Sequence, residues 1–162
     1  MLNRFFLVSH PAHWIALGFG SGLSPFAPGT AGTLWAWGTF AVLQHWLTPG
    51  QMGGLILASL LIGWWACNVT AQHLGVADPS AIVWDEVVAF WLVLWLITPA
   101  AGFGQQLVAF GLFRFFDAAK PGPVAWADRF FKGFGWRGAW GILFDDLVAA
   151  FCTLLLIALW RF

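Results

Sequence analysis

IVWDEVVAFWLVLWLI, residues Ile82–Ile97, sets two carboxylates, Asp85 and Glu86, inside a run whose other side chains are all apolar. Asp78-Pro79-Ser80 ahead of it reads as an N-cap followed by proline in the first turn, which predicts a helix over Pro79–Ile97. Asp85 and Glu86 then lie about two turns inside that helix, too deep to act as caps. Carboxylates at membrane depth are expensive, so function is the default reading of them.

The rest of the chain supplies the membrane setting. Of 162 residues 60% are hydrophobic and 9% charged, the mean hydropathy is +0.80, and no Asp, Glu, Lys or Arg occurs from Phe5 to Ala77. This composition predicts a single all-α domain over residues 1–162, a compact polytopic membrane helix bundle. Thirteen Trp and seventeen Phe without a Tyr suit interfacial and lipid-facing packing. A net charge of zero, with the basic residues mainly in one short stretch, argues against nucleic-acid binding. Cys67 and Cys152 sit in apolar runs without a CxxC, as small buried hydrophobes, and imply no disulfide framework. Met1–Leu7, with one Arg and a short apolar run before His10-Pro11, is not expected to be a cleaved signal peptide.

Gly and Pro punctuation predicts a short helix near Ala12–Phe19, then helices over Ala31–Leu47, Gly53–His73, Pro79–Ile97, Gln105–Ala119 and Ala139–Trp160. A span needs about 20 residues, so Ala31–Leu47 and Gln105–Ala119 are marginal. If the long helices alternate in direction, segments 20–30, 75–79 and 120–138 emerge on one side, and 48–52 and 98–104 on the other. Asp85, Glu86, Asp117, Asp145 and Asp146 then gather near helix ends on the first side, with Asp78, Asp128, Lys120, Arg129, Lys132 and Arg137. Arg114 lies just inside the membrane there, and Arg161 is the only basic residue expected opposite. The positive-inside rule makes that side cytoplasmic. Pro121 and Pro123 stop the helix expected over Gln105–Ala119, leaving Arg114, Asp117 and Lys120 at i,i+3 spacing on one face. In the last helix Gly138, Gly141, Asp145 and Ala149 share a face that would admit a neighbouring helix closely and turn Asp145 inward.

Five converging carboxylates repel one another unless cations or protons intervene. Oxygen-only ligands without His or Cys suit Mg²⁺, which completes its shell with water and phosphate oxygens. The plainer alternative pairs the acids with Arg114, Lys120 and Arg129 as structural ion pairs. GFGSGLSPFAPGTAGT, Gly18–Thr33, is neither a P-loop nor a dinucleotide fingerprint. It ends at a predicted helix start on the side of the acids, where backbone N–H groups and the helix dipole favour an anion. Ser21, Ser24, Thr30 and Thr33 would add hydroxyl donors; the alternative is a re-entry turn capped by Thr30. His13, just ahead of the loop, is a candidate for contact with a phosphate or leaving group. His45 and His73 read as interfacial.

The Gly18–Thr33 loop, IVWDEVVAFW from Ile82, FRFFDAAKP from Phe113, Asp128-Arg129 and GILFDDL from Gly141 together resemble the motifs of the bacterial phosphatidylglycerophosphatase A family. Order and spacing agree from about His13 to Ala150. Family members often carry Gly-Gly before the last helix, where this chain has Gly138-Ala139-Trp140-Gly141. The resemblance implies a Mg²⁺-dependent phosphatase that removes the terminal phosphate of phosphatidylglycerophosphate, a phospholipid of the bacterial inner membrane, to give phosphatidylglycerol. It implies Asp85, Glu86, Asp117, Asp145 and Asp146 as the catalytic and metal-binding acids. Ser21, Ser24, Thr30, Thr33, Arg114, Lys120, Asp128, Arg129 and His13 complete the candidate site as substrate contacts. The chain lacks an aspartyl-phosphate motif, a Cys-based phosphate loop and a histidine-based lipid phosphatase pattern. A water activated by metal is the simplest nucleophile, with Asp145 or Asp146 as the alternative. The competing class is a small transporter or channel with the acids as a cation path, which calls for acids spread through the membrane depth. A non-catalytic scaffold leaves the five acids unexplained.

Overall fold

Val87, Val88, Phe90, Trp91, Val93 and Leu94 put apolar groups on every side of one helix, and such a helix is stable only where every side is covered. In the computed structural model, which describes residues 4–98 and 100–160, that helix is the centre of the molecule. The elements are α1 (Arg4–Val8), α2 (Pro11–Ala16), a 3-10 segment (Gly18–Leu23), α3 (Pro28–Leu43), α4 (Pro49–Leu74), α5 (Trp84–Ile97), α6 (Phe103–Ala119), α7 (Pro123–Phe130) and α8 (Gly135–Trp160). All secondary structure among the described residues is helical. The central helix α5, buried along most of its length, packs against α3, α4, α6 and α8. α2 packs against α4, and α7 lies on α8. Arg161 lies outside the described residues.

Two helices of 26 residues each, α4 and α8, are long and apolar enough to cross a membrane, with mean hydropathies of 1.6 and 2.3 over an 18-residue stretch of each. Each is roughly 39 Å long at 1.5 Å per residue, against a hydrocarbon core of about 30 Å. Their outer faces carry exposed Leu57, Leu61 and Ile62 on α4, and Phe151, Leu155 and Leu159 on α8. α3, α5 and α6, of 16, 14 and 17 residues, are shorter than a perpendicular span.

Several local expectations are corrected. α5 begins at Trp84 rather than Pro79, so Asp78 does not cap it, and Asp85 and Glu86 stand in its first turn. The intervening chain is held differently: Ile82 N–H donates to Pro79 O and Val83 N–H donates to Ala16 O, both at 2.9 Å, while Ala81, Ile82 and Val83 are buried. α3 begins at Pro28, with Ala27 in the N-cap position, so Thr30 is a first-turn residue and not the cap. Segment 120–138 is not simply a loop. Pro121 and Pro123 end α6, but Pro123 is also well suited to open a helix, and α7 starts there. On α8, a Cβ at Gly138 would collide with the Gly133 carbonyl, and one at Gly141 with the Phe131 carbonyl. The small face therefore receives the backbone of 131–133 rather than another helix.

Candidate active site

The first turns of α3 and α5, the last turn of α6 and a point about three turns into α8 meet at one end of the bundle. Asp85, Glu86 and Asp146 each offer a carboxylate oxygen there, all within 4.8 Å of one another. Asp85 Oδ1, Glu86 Oε2 and Asp146 Oδ2 are buried without a hydrogen-bond partner. From α6, Arg114 Nη1 reaches Glu86 Oε1 at 3.7 Å and pairs with Asp117, which stands beside Asp146. Four carboxylates thus face one guanidinium, an excess of three negative charges if all are ionised. Buried charge without a partner is strongly unfavourable. Converging carboxylates with unpartnered oxygens fit a hard divalent cation such as Mg²⁺.

Gly29, second residue of α3, brings the Gly-rich loop to this cluster. A Cβ there would collide with Glu86 Oε1 and stand 3.0 and 3.1 Å from Arg114 Nη1 and Nη2. The start of α3, where helix geometry leaves the Gly29 and Thr30 N–H groups without an intrahelical acceptor, thus stands beside the acids, and a helix start of this kind suits a phosphate. Gly29→Ala is expected to be well tolerated by the fold, because alanine favours the helix by about 1 kcal/mol and the displaced atoms are ends of flexible side chains. Those ends are the site, so kcat/KM should fall about 10²-fold. A steady-state assay beside a thermal melt checks both, and parental kinetics would remove Glu86 and Arg114 from the site.

Asp145 belongs to a second network. Successive helical residues point about 100° apart, so Asp146 faces the metal-suited cluster while Asp145 turns to α6 and α7. Lys120 Nζ donates to Asp145 Oδ2 at 2.6 Å and to Asp128 Oδ1 at 2.5 Å, and Lys132 reaches Asp128 Oδ2 at 3.0 Å. Two acids and two lysines balance. Asp78 borders the same small cleft. Burial pushes the Asp128 carboxyl up, but hydrogen bonds from Lys120 and Lys132 outweigh it and hold it below the usual range. Burial likewise opposes the charge on Lys120, and the bonds to Asp128 and Asp145 outweigh it and raise its pKa. The stability contributed by Asp128 is lost only as pH falls through its lowered pKa, and that by Lys120 only as pH rises through its raised one. Both are present at neutral pH.

Lys120 therefore already has two carboxylate partners. Lys120→Met should act mainly on stability, at roughly 3–5 kcal/mol, because it strands the buried Asp145. Adding Asp145→Asn should recover much of that loss. A melt of the single and double variants tests this, and a stable single variant would contradict it.

The remaining candidates divide. Thr33 Oγ1 donates to Gly29 O at 2.8 Å and Thr30 is half-buried in the same turn, so both stand on the helix end that meets the acids. Ser21 Oγ donates to Gly18 O at 2.9 Å, and Ser21 and Ser24 line a separate cavity with Arg4 and Trp14. Arg129 is exposed and donates from Nε to Ala125 O. His13 is buried, with Nε2 2.9 Å from His73 Nδ1 and Nδ1 2.9 Å from Phe6 O. It ties α2 to the end of α4, and no acid is among its observed partners. His73, expected to be a plain interfacial residue, is the other half of that tie.

The sequence profile of the family described as Phosphatidylglycerophosphatase A matches residues 14–161, a range that holds both networks and Gly29. The chain belongs to the phosphatidylglycerophosphatase A family. It is 40% identical over 147 residues to Phosphatidylglycerophosphatase A of Escherichia coli (strain K12), covering 88% of this chain and 78% of that protein. With Phosphatidylglycerophosphatase A of Haemophilus influenzae the identity is 36% over 162 residues, covering 91% and 87%. A Bacteroides thetaiotaomicron protein, whose name gives phosphatidylinositol-3-phosphatase as its proposed activity, is 36% identical over 154 residues and 91% of each chain. No solved structure matches the chain.

Proposed function

We propose that this chain hydrolyses the terminal phosphomonoester of phosphatidylglycerophosphate, releasing phosphatidylglycerol and phosphate, as a Mg²⁺-dependent, multi-pass enzyme of the bacterial inner membrane. The observation that carries the reading is the convergence of the Asp85, Glu86 and Asp146 carboxylates, each with one buried oxygen that lacks a hydrogen-bond partner, in a chain of this family. These residues would hold Mg²⁺, which supplies positive charge against the phosphoryl oxygens and the charge that develops in the transition state. Arg114 lies beside the cluster and Asp117 fixes its guanidinium, so the Arg can bind a peripheral phosphate oxygen. The N–H groups at the start of α3 bind another and keep the phosphorus in line with the attacking water. The oxygen of that water joins phosphorus, the P–O bond to glycerol breaks, and the proton that the water gives up is balanced by the one the leaving alkoxide takes up. Asp145 is the weaker candidate for direct attack, since its pairing with Lys120 stabilises the anion and blunts its nucleophilicity.

The other reading, a transporter, calls for a polar path onward from the acids. Beyond them the centre is filled by Phe90, Val93, Leu94 and Phe113, all fully buried and apolar. Two relatives carry the phosphatidylglycerophosphatase name and the third is named for another phospholipid phosphomonoester. The test is phosphate release by purified protein from phosphatidylglycerophosphate and phosphatidylinositol 3-phosphate. A preference of at least about tenfold in kcat/KM for the first is expected. Release from neither would end the phosphatase reading, and the opposite preference would end the substrate assignment.

Lys120, Arg129, Lys132 and Arg137 run from the end of α6 into the first turn of α8, and the positive-inside rule favours a cytoplasmic face for that segment and the site. Lys132→Cys in a Cys67→Ala, Cys152→Ala background should resist an impermeant thiol reagent in intact cells and react in inverted vesicles. Labelling from outside would reverse the orientation.

A further inference from the structure

A groove of about 700 Å³ runs between α3 and α4 and is floored by α5. Its size is that of a ligand pocket, roughly 300–1,000 Å³. Phe19, Trp35, Gly38, Leu55, Trp84 and Trp91 form most of it. The polar atoms of this wall are turned away. Trp84 Nε1 donates to Ser59 O at 3.0 Å, Trp91 Nε1 donates to Ala36 O at 2.9 Å, and the Thr39 hydroxyl donates to Trp35 O at 2.8 Å. What remains facing the groove is almost wholly carbon, suited to hydrocarbon and to neither water nor a headgroup.

Two features join the groove to the acids. Trp84, which lies against Trp35 and Trp91, is the residue before Asp85. Trp35 is six residues along α3 from Gly29, which abuts Glu86 and Arg114. From Trp35 the groove continues along α3 to Leu43, roughly 12 Å at 1.5 Å per residue, away from the polar end. Phe19 also lines it. It has φ 55°, a left-handed conformation that a bulky side chain rarely adopts, and its ring stacks on Trp35 with centroids 5.3 Å apart. Backbone strain of this kind persists where the surroundings fix a side chain in place.

We propose that this groove seats an acyl chain of the phospholipid whose phosphate is removed, with Phe19 and Trp35 as specificity-determining residues. The inference rests on the phosphatase reading above and adds the position of the lipid's tail to it. A phosphate bound at the acids leaves its diacylglycerol portion at the apolar layer beside them, and Trp84, which lines the groove, is the residue before Asp85. Transfer of a chain from bilayer hydrocarbon to this wall gains little, because lipid tails are as apolar as the groove. Its effect is to fix where the headgroup lies.

Gly38 offers the test, since a Cβ there meets nothing within 4 Å and a larger side chain can fill the groove without displacing protein. Gly38→Ala, Gly38→Leu and Gly38→Phe are compared on long-chain phosphatidylglycerophosphate in mixed micelles and on its deacylated, water-soluble headgroup. Gly54→Phe serves as the control, because Gly54 is equally open but does not line the groove. Expected is a graded fall in kcat/KM for the long-chain lipid, reaching about tenfold with Phe, a change of less than about twofold on the headgroup, and parental kinetics for Gly54→Phe on both. Parental rates on the lipid for the Leu and Phe variants would mean that the groove holds only bulk lipid, and equal losses on both substrates would mean a distorted acid site. Either result overturns the proposal. If the parent protein turns over neither substrate, the phosphatase reading itself fails.

Discussion

Asp85→Asn and Asp146→Asn are each expected to lower kcat by at least about 10³-fold while the helical fold is retained. The amide keeps the side-chain volume but removes a negative charge from oxygens that face other carboxylates without a hydrogen-bond partner. An amide also brings N–H donors, which can bond to the carboxylates that remain. Without metal, each variant should therefore melt higher than the parent, by a few degrees if the relief is roughly 1–2 kcal/mol. A simple packing role predicts the reverse, with activity and melting temperature falling together. Asp145→Asn provides the contrast within the same helix. It weakens the bond to Lys120 and should lower stability, because its carboxylate is already matched by a lysine. Near-parental turnover in both Asp85→Asn and Asp146→Asn would place the chemistry elsewhere.

That contrast shows how far the sequence reaches. Acids embedded in apolar runs mark both Asp145 and Asp146, and the one-dimensional pattern gives them the same weight. Their separation comes from the helical rotation between neighbours together with the presence of α7, which carries Asp128 to Lys120. α7 was hidden by its own punctuation: Pro121-Gly122-Pro123 reads as a stop, yet proline is as acceptable in a first turn as it is disruptive later. The start of α5 is masked for a related reason. Asp78-Pro79-Ser80 has the chemistry of a cap, but burying Ala81, Ile82 and Val83 against the Gly-rich loop, where Gly22 meets Ala81 and Gly32 meets Val83, outweighs local preference. The His13–His73 bond spans 60 positions and leaves no mark in either segment. Gly29 is the instructive middle case. A glycine in a loop looks like a turn residue, and only the approach of Glu86 and Arg114 shows that its missing side chain makes room for the site.

Removal of divalent metal with EDTA is expected to abolish turnover, and added Mg²⁺ to restore it, with a matching change in stability. When all are ionised, Asp85, Glu86, Asp117 and Asp146 carry three charges more than Arg114 can balance, and a bound cation would relieve that repulsion. Mg²⁺ bound only to the folded state should stabilise it by about 2.7 kcal/mol at one hundred times its dissociation constant. The melting temperature in Mg²⁺ should therefore exceed that in EDTA. Trp84 adds a spectroscopic readout, since its indole precedes Asp85 and is held by Ser59 O, so Mg²⁺ titration should change the intrinsic fluorescence. In Asp146→Asn the order should change: the protein without metal melts higher than the parent, while the increment from Mg²⁺ shrinks with the lost ligand. These readouts are independent of substrate delivery in micelles, so a poor assay cannot imitate them. Full turnover in chelator, with no effect of Mg²⁺ on melting or fluorescence, would leave Arg114 as the sole counter-charge of the cluster and end the case for a metal-dependent reaction.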